Sequence, residues 1–167
     1  MKGLKSVMFS QSTQHWASPD DMFMALDREF GFTLDPCPLH ATLDAFSFQW
    51  NGIVYVNPPY GRGIGAWIER GIKFAAQGST VVFLLPVRTD TRWFHELVLP
   101  AKPEIRFIRG RLHFGGAKNA APFPSMLLIF GTNKQPRETG RPVACLEHTP
   151  ETMPGDPVTK EIPEEFR

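Results

Sequence analysis

Apolar residues fall along this chain in short runs whose spacing switches between two periods. Met22, Phe23, Leu26 and Phe30 recur at three- and four-residue intervals, which places them on one face of a helix. Ser18 suits the N-cap of that helix, Pro19 its first position, Asp20 and Asp21 its dipole, and Gly31 its stop. "FTLD", ending at Asp35, predicts a short strand closed by Pro36 and Pro38. From Leu39 to Gly52 no period holds, so the segment is either one helical turn or an irregular crossover. "GIVYV" predicts the next strand. Ile64, Trp67, Ile68, Ile72 and Ala75 then share one face of a helix ending at Gly78. "TVVFLLP" is apolar without alternation, the pattern of a central parallel strand buried on both faces. "TRWFHELV" predicts a short helix, and "EIRFI", "RLHF" and "SMLLIF" three further strands. A loop rich in Gly, Ala and Pro, Gly115 to Pro124, joins the last two.

Strands alternating with helices, followed by a late strand pair, predict an α/β fold. Its sheet is expected to be mostly parallel with an antiparallel edge strand. In such sheets ligands bind beyond the carboxyl ends of the strands. Asp35, Asn57 and Pro86 each stand just past such an end, so the rule brings them to one rim. Residues 1–15 read as a flexible arm, 16–130 as one folded domain and 131–167 as a proline-rich tail. Six of the sixteen prolines lie in that tail, with few clustered apolar residues, so it is expected to wrap the surface or stay partly disordered.

Composition narrows the function classes. The 167 residues are 42% hydrophobic, enough for one sizeable core and too few for two. No apolar run approaches the roughly 18 residues of a membrane span, and the N-terminal stretch lacks the apolar centre of a signal peptide. Cys37 and Cys145 form no CxxC or Cys/His cluster, so neither a structural metal nor a disulfide framework is expected, and a reducing, cytoplasmic compartment fits. Net charge is only +1, yet it is unevenly spread. Arg88, Arg92, Lys102, Arg106, Arg109, Arg111 and Lys118 face only Asp90, Glu96 and Glu104 within 88–118, giving 7 − 3 = +4. Such a segment either meets phosphates or is a set of solvated strand ends.

The corner "NPPY", Asn57 to Tyr60, carries the chemistry. Two prolines make a stiff, extended backbone without N–H donors. The Asn57 side-chain oxygen and the Pro58 carbonyl can accept both hydrogens of one planar NH2 group. Tyr60 can stack on the ring bearing that amine. Two acceptors also favour a more tetrahedral nitrogen and stabilise the positive charge that develops as it attacks a methyl donor. The bland alternative is a Pro-Pro corner that merely ends a strand. Gly61, Gly63 and Gly65 lack the Walker lysine and the dinucleotide spacing, and are read as giving a ligand close access.

In order along the chain, "WASP", "GFTLDPCP", "IVYVNPPYG", "FLLPVRTDTRWFH", "IRFIRGRLHF" and "APFPSMLLIF" resemble the small phage-type DNA N6-adenine methyltransferases, a Dam-like family. The resemblance covers about Trp16 to Phe130. It implies a compact Rossmann-like class I methyltransferase fold, pruned between the first strand and the NPPY strand. It also implies S-adenosylmethionine as cofactor, DNA as partner and a bacterial or phage-infected cell as setting. Asn57, Pro58, Pro59 and Tyr60 match the motif that grips the amine of a flipped base. Asp35, Pro36 and Cys37 look like the loop that contacts the methionine part of the cofactor. Trp16, Ser18 and Pro19 resemble the element that closes over the cofactor, and Pro86, Arg88 and Thr89 the edge of the same pocket. The chain departs from broad methyltransferase motifs in having "DPCPLH" where glycines are usual. Asp44 is the nearest candidate for the acidic residue on the ribose, or else a cap or a solvated charge. Arg88, Arg92, Arg109, Arg111, Lys118 and Phe123 are the candidate DNA contacts, with ion pairs or packing as their alternatives. The same chemistry would serve RNA adenine, cytosine N4 or a protein glutamine amide. A catalytically silent DNA-binding protein on the same fold is the remaining alternative.

Overall fold

The computed structural model describes residues 18–38, 43–116, 119–131 and 146–147. Five strands form one mixed sheet in the order β1-β2-β4-β3-β5. They are β1 (Ile53–Val56), β2 (Thr80–Pro86), β3 (Glu104–Arg109), β4 (Ser125–Phe130) and β5 (Leu146–Glu147). β1 pairs with β2 in parallel and β3 with β5 in parallel, while β4 runs antiparallel to both β2 and β3. Four strands therefore point one way. The antiparallel strand is not at the edge, as the sequence order suggested, but inserted between β2 and β3. The reason lies in its composition: all six residues of β4 are buried, whereas β3 alternates buried and exposed positions after its first two residues. The more apolar strand takes the site covered on both faces.

Two other expected strands do not form. "FTLD" contributes a single parallel bridge, Leu34 to Val54, with the Tyr55 N–H donating to the Leu34 carbonyl at 2.9 Å. Arg111–His113 are irregular, and a short 3-10 turn covers Phe114–Gly116. Gly110, with φ of 82°, turns the chain out of the ladder just after β3. The segment 43–52 is an irregular crossover of turns, consistent with its lack of period. Leu146–Glu147, inside the expected tail, pair with β3.

The period-two alternation of the strands builds two cores. Val54 and Val56, Val81, Phe83 and Leu85, and Met126, Leu128 and Phe130 face α2 (Ile64–Ala76) and a π-helical turn, Phe94–Val98, that runs into α3 (Leu99–Ala101). Tyr55, Leu84 and Leu127 lie in a second cluster with Met22 and Leu26 of α1 (Asp20–Phe30) and with Leu112, Phe114 and Ala121. Tyr60 packs against both clusters, so it closes the end of the sheet rather than either face. Phe94 is buried in the first cluster, and Trp93 packs partly buried against it.

Gly71 lets α2 approach the sheet. A Cβ there would stand 2.4 and 2.6 Å from two ring carbons of Phe83, itself wholly buried. Gly71→Ala should destabilise the fold by about 1–3 kcal/mol despite alanine's better helix propensity, because the Phe83 ring has nowhere to move. Thermal denaturation of the variant checks this, with Gly63→Ala, whose Cβ meets nothing within 4 Å, as the tolerated control.

Candidate active site

Because β1, β2 and β3 point the same way, their carboxyl ends fall on one rim. Asn57 follows β1, Val87 and Arg88 follow β2, and Gly110 and Arg111 follow β3. The inserted β4 begins at the same rim, with Ser125 opposite Pro86 and the Val87 N–H donating to the Pro124 carbonyl at 2.8 Å. The Leu34 bridge adds Asp35 beside β1. Asp35, Asn57 and Pro86 thus share the rim that the strand order predicted.

The corner after β1 is held by hydroxyl groups. Tyr60 donates its hydroxyl to Asn57 Oδ1 at 2.9 Å. Asn57 Nδ2 donates to Ser18 Oγ at 3.1 Å, and Ser18 Oγ is hydrogen-bonded to the Tyr55 hydroxyl at 2.7 Å. Ser18 was expected to cap α1. Instead Pro19 occupies the N-cap, with no side-chain cap bond, and the Ser18 hydroxyl turns toward the corner. A proline N-cap has no side-chain acceptor to offer, and the buried Tyr55 hydroxyl and the half-buried Asn57 amide across the gap compete for the serine. Pro58 is buried, whereas Asn57, Pro59 and Tyr60 are half-buried. Burial raises the Tyr60 phenol well above its usual pKa, with Tyr55 adding to the effect, so its proton stays in place as a donor. Tyr55 is raised for the same principal reason, partly offset by its bond to Ser18.

Tyr60 also meets the loop after β3. Its ring lies 5.5 Å from Phe123 at 78° and 6.1 Å from Phe114 at 80°. The Ala121 N–H donates to the Leu112 carbonyl at 2.7 Å, closing the base of that loop. Phe123 was a candidate base contact; Phe114 and Tyr55 were not singled out. Tyr55 was legible in principle, since it stands two residues before Asn57 on a strand and so shares its side. Phe114 carried no such signal, because the strand expected at 111–114 does not form.

Asp35 lies exposed at the rim. Desolvation by the protein behind it raises its carboxyl above the ordinary value, against the lowering effect of the Cys37 N–H, which donates to Oδ1 at 2.8 Å. Pro36 is buried. The half-buried Cys37 thiol is pushed up to about 11, first by burial and then by the Asp35 charge. The thiolate fraction near neutral pH then falls on the order of a hundredfold, partly offset by the greater nucleophilicity of a more basic thiolate. Cys37 should react roughly tenfold more slowly than an unperturbed thiol with a disulfide reagent at pH 7, and Asp35→Asn should speed it. Peptide mapping of the modified chain separates Cys37 from Cys145. Asp44 spends Oδ1 on the Phe46 N–H at 2.9 Å, as the cap of a turn.

The basic segment divides. Arg106 is buried on β3, ion-paired to Glu29 of α1 at 2.8 Å and to Glu104 at 2.7 Å, with its guanidinium over Phe30. It belongs to the packing of α1 and not to a cationic surface. Arg92 forms an exposed pair with Glu96 one helical turn on. Lys102 precedes β3 and stands at the opposite end of the sheet. Arg88, Arg109 and Arg111 are exposed at or next to the rim that carries Asn57, and Arg111 reaches the Ala121 carbonyl at 3.4 Å. His95 Nε2 is hydrogen-bonded to the Thr89 carbonyl at 2.8 Å, which makes it a loop tie. Trp16 and Lys118 lie outside the described residues. No helix among the described residues is long and apolar enough to cross a membrane, and no group of three or more His, Cys, Asp or Glu there is placed to hold a metal.

The site is thus an Asn-Pro-Pro-Tyr corner at the carboxyl end of a strand in an α/β sheet, with Asp35 on the same rim. Residues 5–145 fit the model of the DNA N-6-adenine-methyltransferase (Dam) family, and the chain belongs to it. It is also similar to the DNA N-6-adenine-methyltransferase of Haemophilus phage HP1, with 26% identity over 133 residues, covering 69% of this chain and 77% of the phage protein. No solved structure matches significantly.

Proposed function

We propose that the chain transfers a methyl group from S-adenosylmethionine to the N6 amine of adenine in DNA, acting on a base flipped out of the helix. The observation that carries this reading is the Asn57-to-Tyr60 corner, set beside Asp35 on one rim in a chain of the Dam family. Asn57 Oδ1 and the Pro58 carbonyl accept the two amine hydrogens. An amide oxygen has two lone pairs, so Oδ1 takes an amine hydrogen either beside the Tyr60 hydroxyl or in its place. These acceptors stabilise the charge that grows on nitrogen and so favour the transition state over the ground state. Tyr60 supplies the aromatic surface for the base, with Phe123 beside it. The proton leaves to solvent after transfer, since His95 is tied to Thr89 and no other base is required.

The rim suits the cofactor. Asp35 offers an exposed carboxylate to the ammonium of its methionine part, and Pro36 and Cys37 beside it, Ser18 and Pro19 before α1, Pro86 at the end of β2 and Trp16 are assigned to the same cofactor. When bound, S-adenosylmethionine supplies a methyl group activated by its sulfonium. The arrangement corresponds to a class I methyltransferase fold shortened between Leu34 and β1, with a catalytic domain over residues 16–130. Arg88, Arg109 and Arg111, exposed at or next to the rim, are assigned to the phosphates around the flipped nucleotide, and Arg92 and Lys118 extend that assignment.

Incubation with methyl-labelled cofactor and DNA, RNA or protein, followed by nucleoside and amino-acid analysis, tests the reading. N6-methyladenine in DNA is expected. Label in RNA, on cytosine N4 or on glutamine would keep the chemistry and change the acceptor. No transfer, together with no cofactor binding by calorimetry with or without DNA, would leave a silent DNA-binding protein.

A further inference from the structure

Tyr55 carries a hydroxyl that packing does not require. It is 2% exposed, and its ring is already surrounded by Phe23 at 5.0 Å and Phe32 at 5.1 Å. Phenylalanine would fill the same space without the cost of burying a polar group. The hydroxyl is spent on Ser18 Oγ at 2.7 Å, and the same Oγ accepts from Asn57 Nδ2 at 3.1 Å. Strand alternation explains the meeting: Tyr55 points to the α1 face, and Asn57, two residues on, returns to that side. The Ser18 hydroxyl, freed from capping α1, sits between them.

We propose that Tyr55 is a positioning residue, acting through Ser18 to hold the Asn57 amide in the plane that receives the target amine. It rests on the assignment of Asn57 as the amine acceptor. On one side the amide is held by Ser18 and Tyr55, which join the start of α1 to β1, and on the other by Tyr60. The amide plane is therefore set by residues from three separate parts of the chain before any base arrives. Such preorganisation matters because an acceptor that must reorient during reaction stabilises the transition state less. Burial keeps the Tyr55 proton in place across the working pH range, so the brace does not titrate with the enzyme.

Tyr55→Phe deletes one oxygen atom and tests this directly. It should lower kcat roughly five- to tenfold, the size of one lost hydrogen bond, with cofactor affinity and the KM for DNA within about twofold of wild type. Tyr55→Phe combined with Ser18→Ala should be no worse in kcat than Ser18→Ala alone, because both cut the same path. Ser18→Thr, which keeps a hydroxyl, should retain most of the rate. The second readout does not need turnover. The Asn57 side-chain NH2 signal, assigned by its loss in Asn57→Asp, should exchange with solvent severalfold faster in Tyr55→Phe and Ser18→Ala than in wild type. Unchanged exchange in both variants overturns the brace whether or not the chain is active. Faster exchange with an unchanged kcat overturns its catalytic role. A wild-type chain that transfers no methyl group refutes the proposed function, and the exchange data still decide whether the brace exists.

Discussion

Asn57→Ala should abolish nearly all methyl transfer while leaving the cofactor bound. The substitution removes the side-chain acceptor at the end of β1 and leaves the Pro58 carbonyl to hold the amine alone. Loss of one preorganised group of this kind costs on the order of 10²–10³ in kcat. Cofactor affinity should change little, since the assigned cofactor contacts at Asp35 and its neighbours lie on other segments of the rim. Asn57→Asp should fall between the two. It keeps an acceptor oxygen toward Tyr60 but loses the Nδ2 donor to Ser18. Calorimetric binding of S-adenosylmethionine alongside single-turnover methylation separates the effects. An Asn57→Ala variant that stays active would move catalysis away from this corner.

The second large effect is on stability. Trp50 is wholly buried at the end of the irregular crossover, 5.8 Å from Trp67, 6.0 Å from Phe74 and 6.5 Å from Phe83. Its Nε1 donates to the Ala45 carbonyl at 3.0 Å, and its own carbonyl accepts from Ser79 Oγ at 2.7 Å. The Arg70 guanidinium lies over Trp50, Phe46 and Phe74 and donates to the Phe48 carbonyl. The crossover has no helix or strand of its own, and this indole fastens it to α2 together with Arg70 and the contact of Phe46 with Trp67. Trp50→Ala should cost about 3–5 kcal/mol, a large part of the roughly 5–15 kcal/mol that stabilises a domain. Its melting temperature should fall by on the order of 10 °C. Trp50→Phe, which keeps most of the ring contact and loses the Nε1 bond, should cost markedly less. A variant melting within a degree or two of wild type would show that the crossover is held by other contacts.

The two regions are coupled through sheet geometry. α2 starts directly after the corner and carries Trp67 and Arg70 against the crossover, so the turns that precede β1 and the corner that follows it are braced by the same helix. A loosened crossover should therefore raise mobility at the rim before it unfolds the sheet. On the opposite face, α1 is tied to β3 by Arg106 and Glu29, and its start is tied to β1 through Ser18.

The amino-acid sequence by itself determined the elements whose pattern is strong. β2 spans Thr80–Pro86 and β4 Ser125–Phe130 as their apolar runs indicate, and α1 and α2 follow their three- and four-residue spacing. It also determined the NPPY corner and, through several ordered motifs, the family. These are local properties: period, punctuation by proline and glycine, and residue chemistry at fixed spacing. Partners distant in the chain were decided only by the tertiary structure. β4 lies inside the sheet because its residues are buried on both faces. "FTLD" is reduced to one bridge, Leu34 to Val54. Arg106 left the basic surface for a buried site that pairs it with Glu29, 77 positions away, and with Glu104. Ser18 gave up the helix cap for Tyr55 and Asn57, residues 37 and 39 positions away. Each such choice is a competition for hydrogen-bond or ion-pair partners across the fold, and periodicity carries no information about which partner wins.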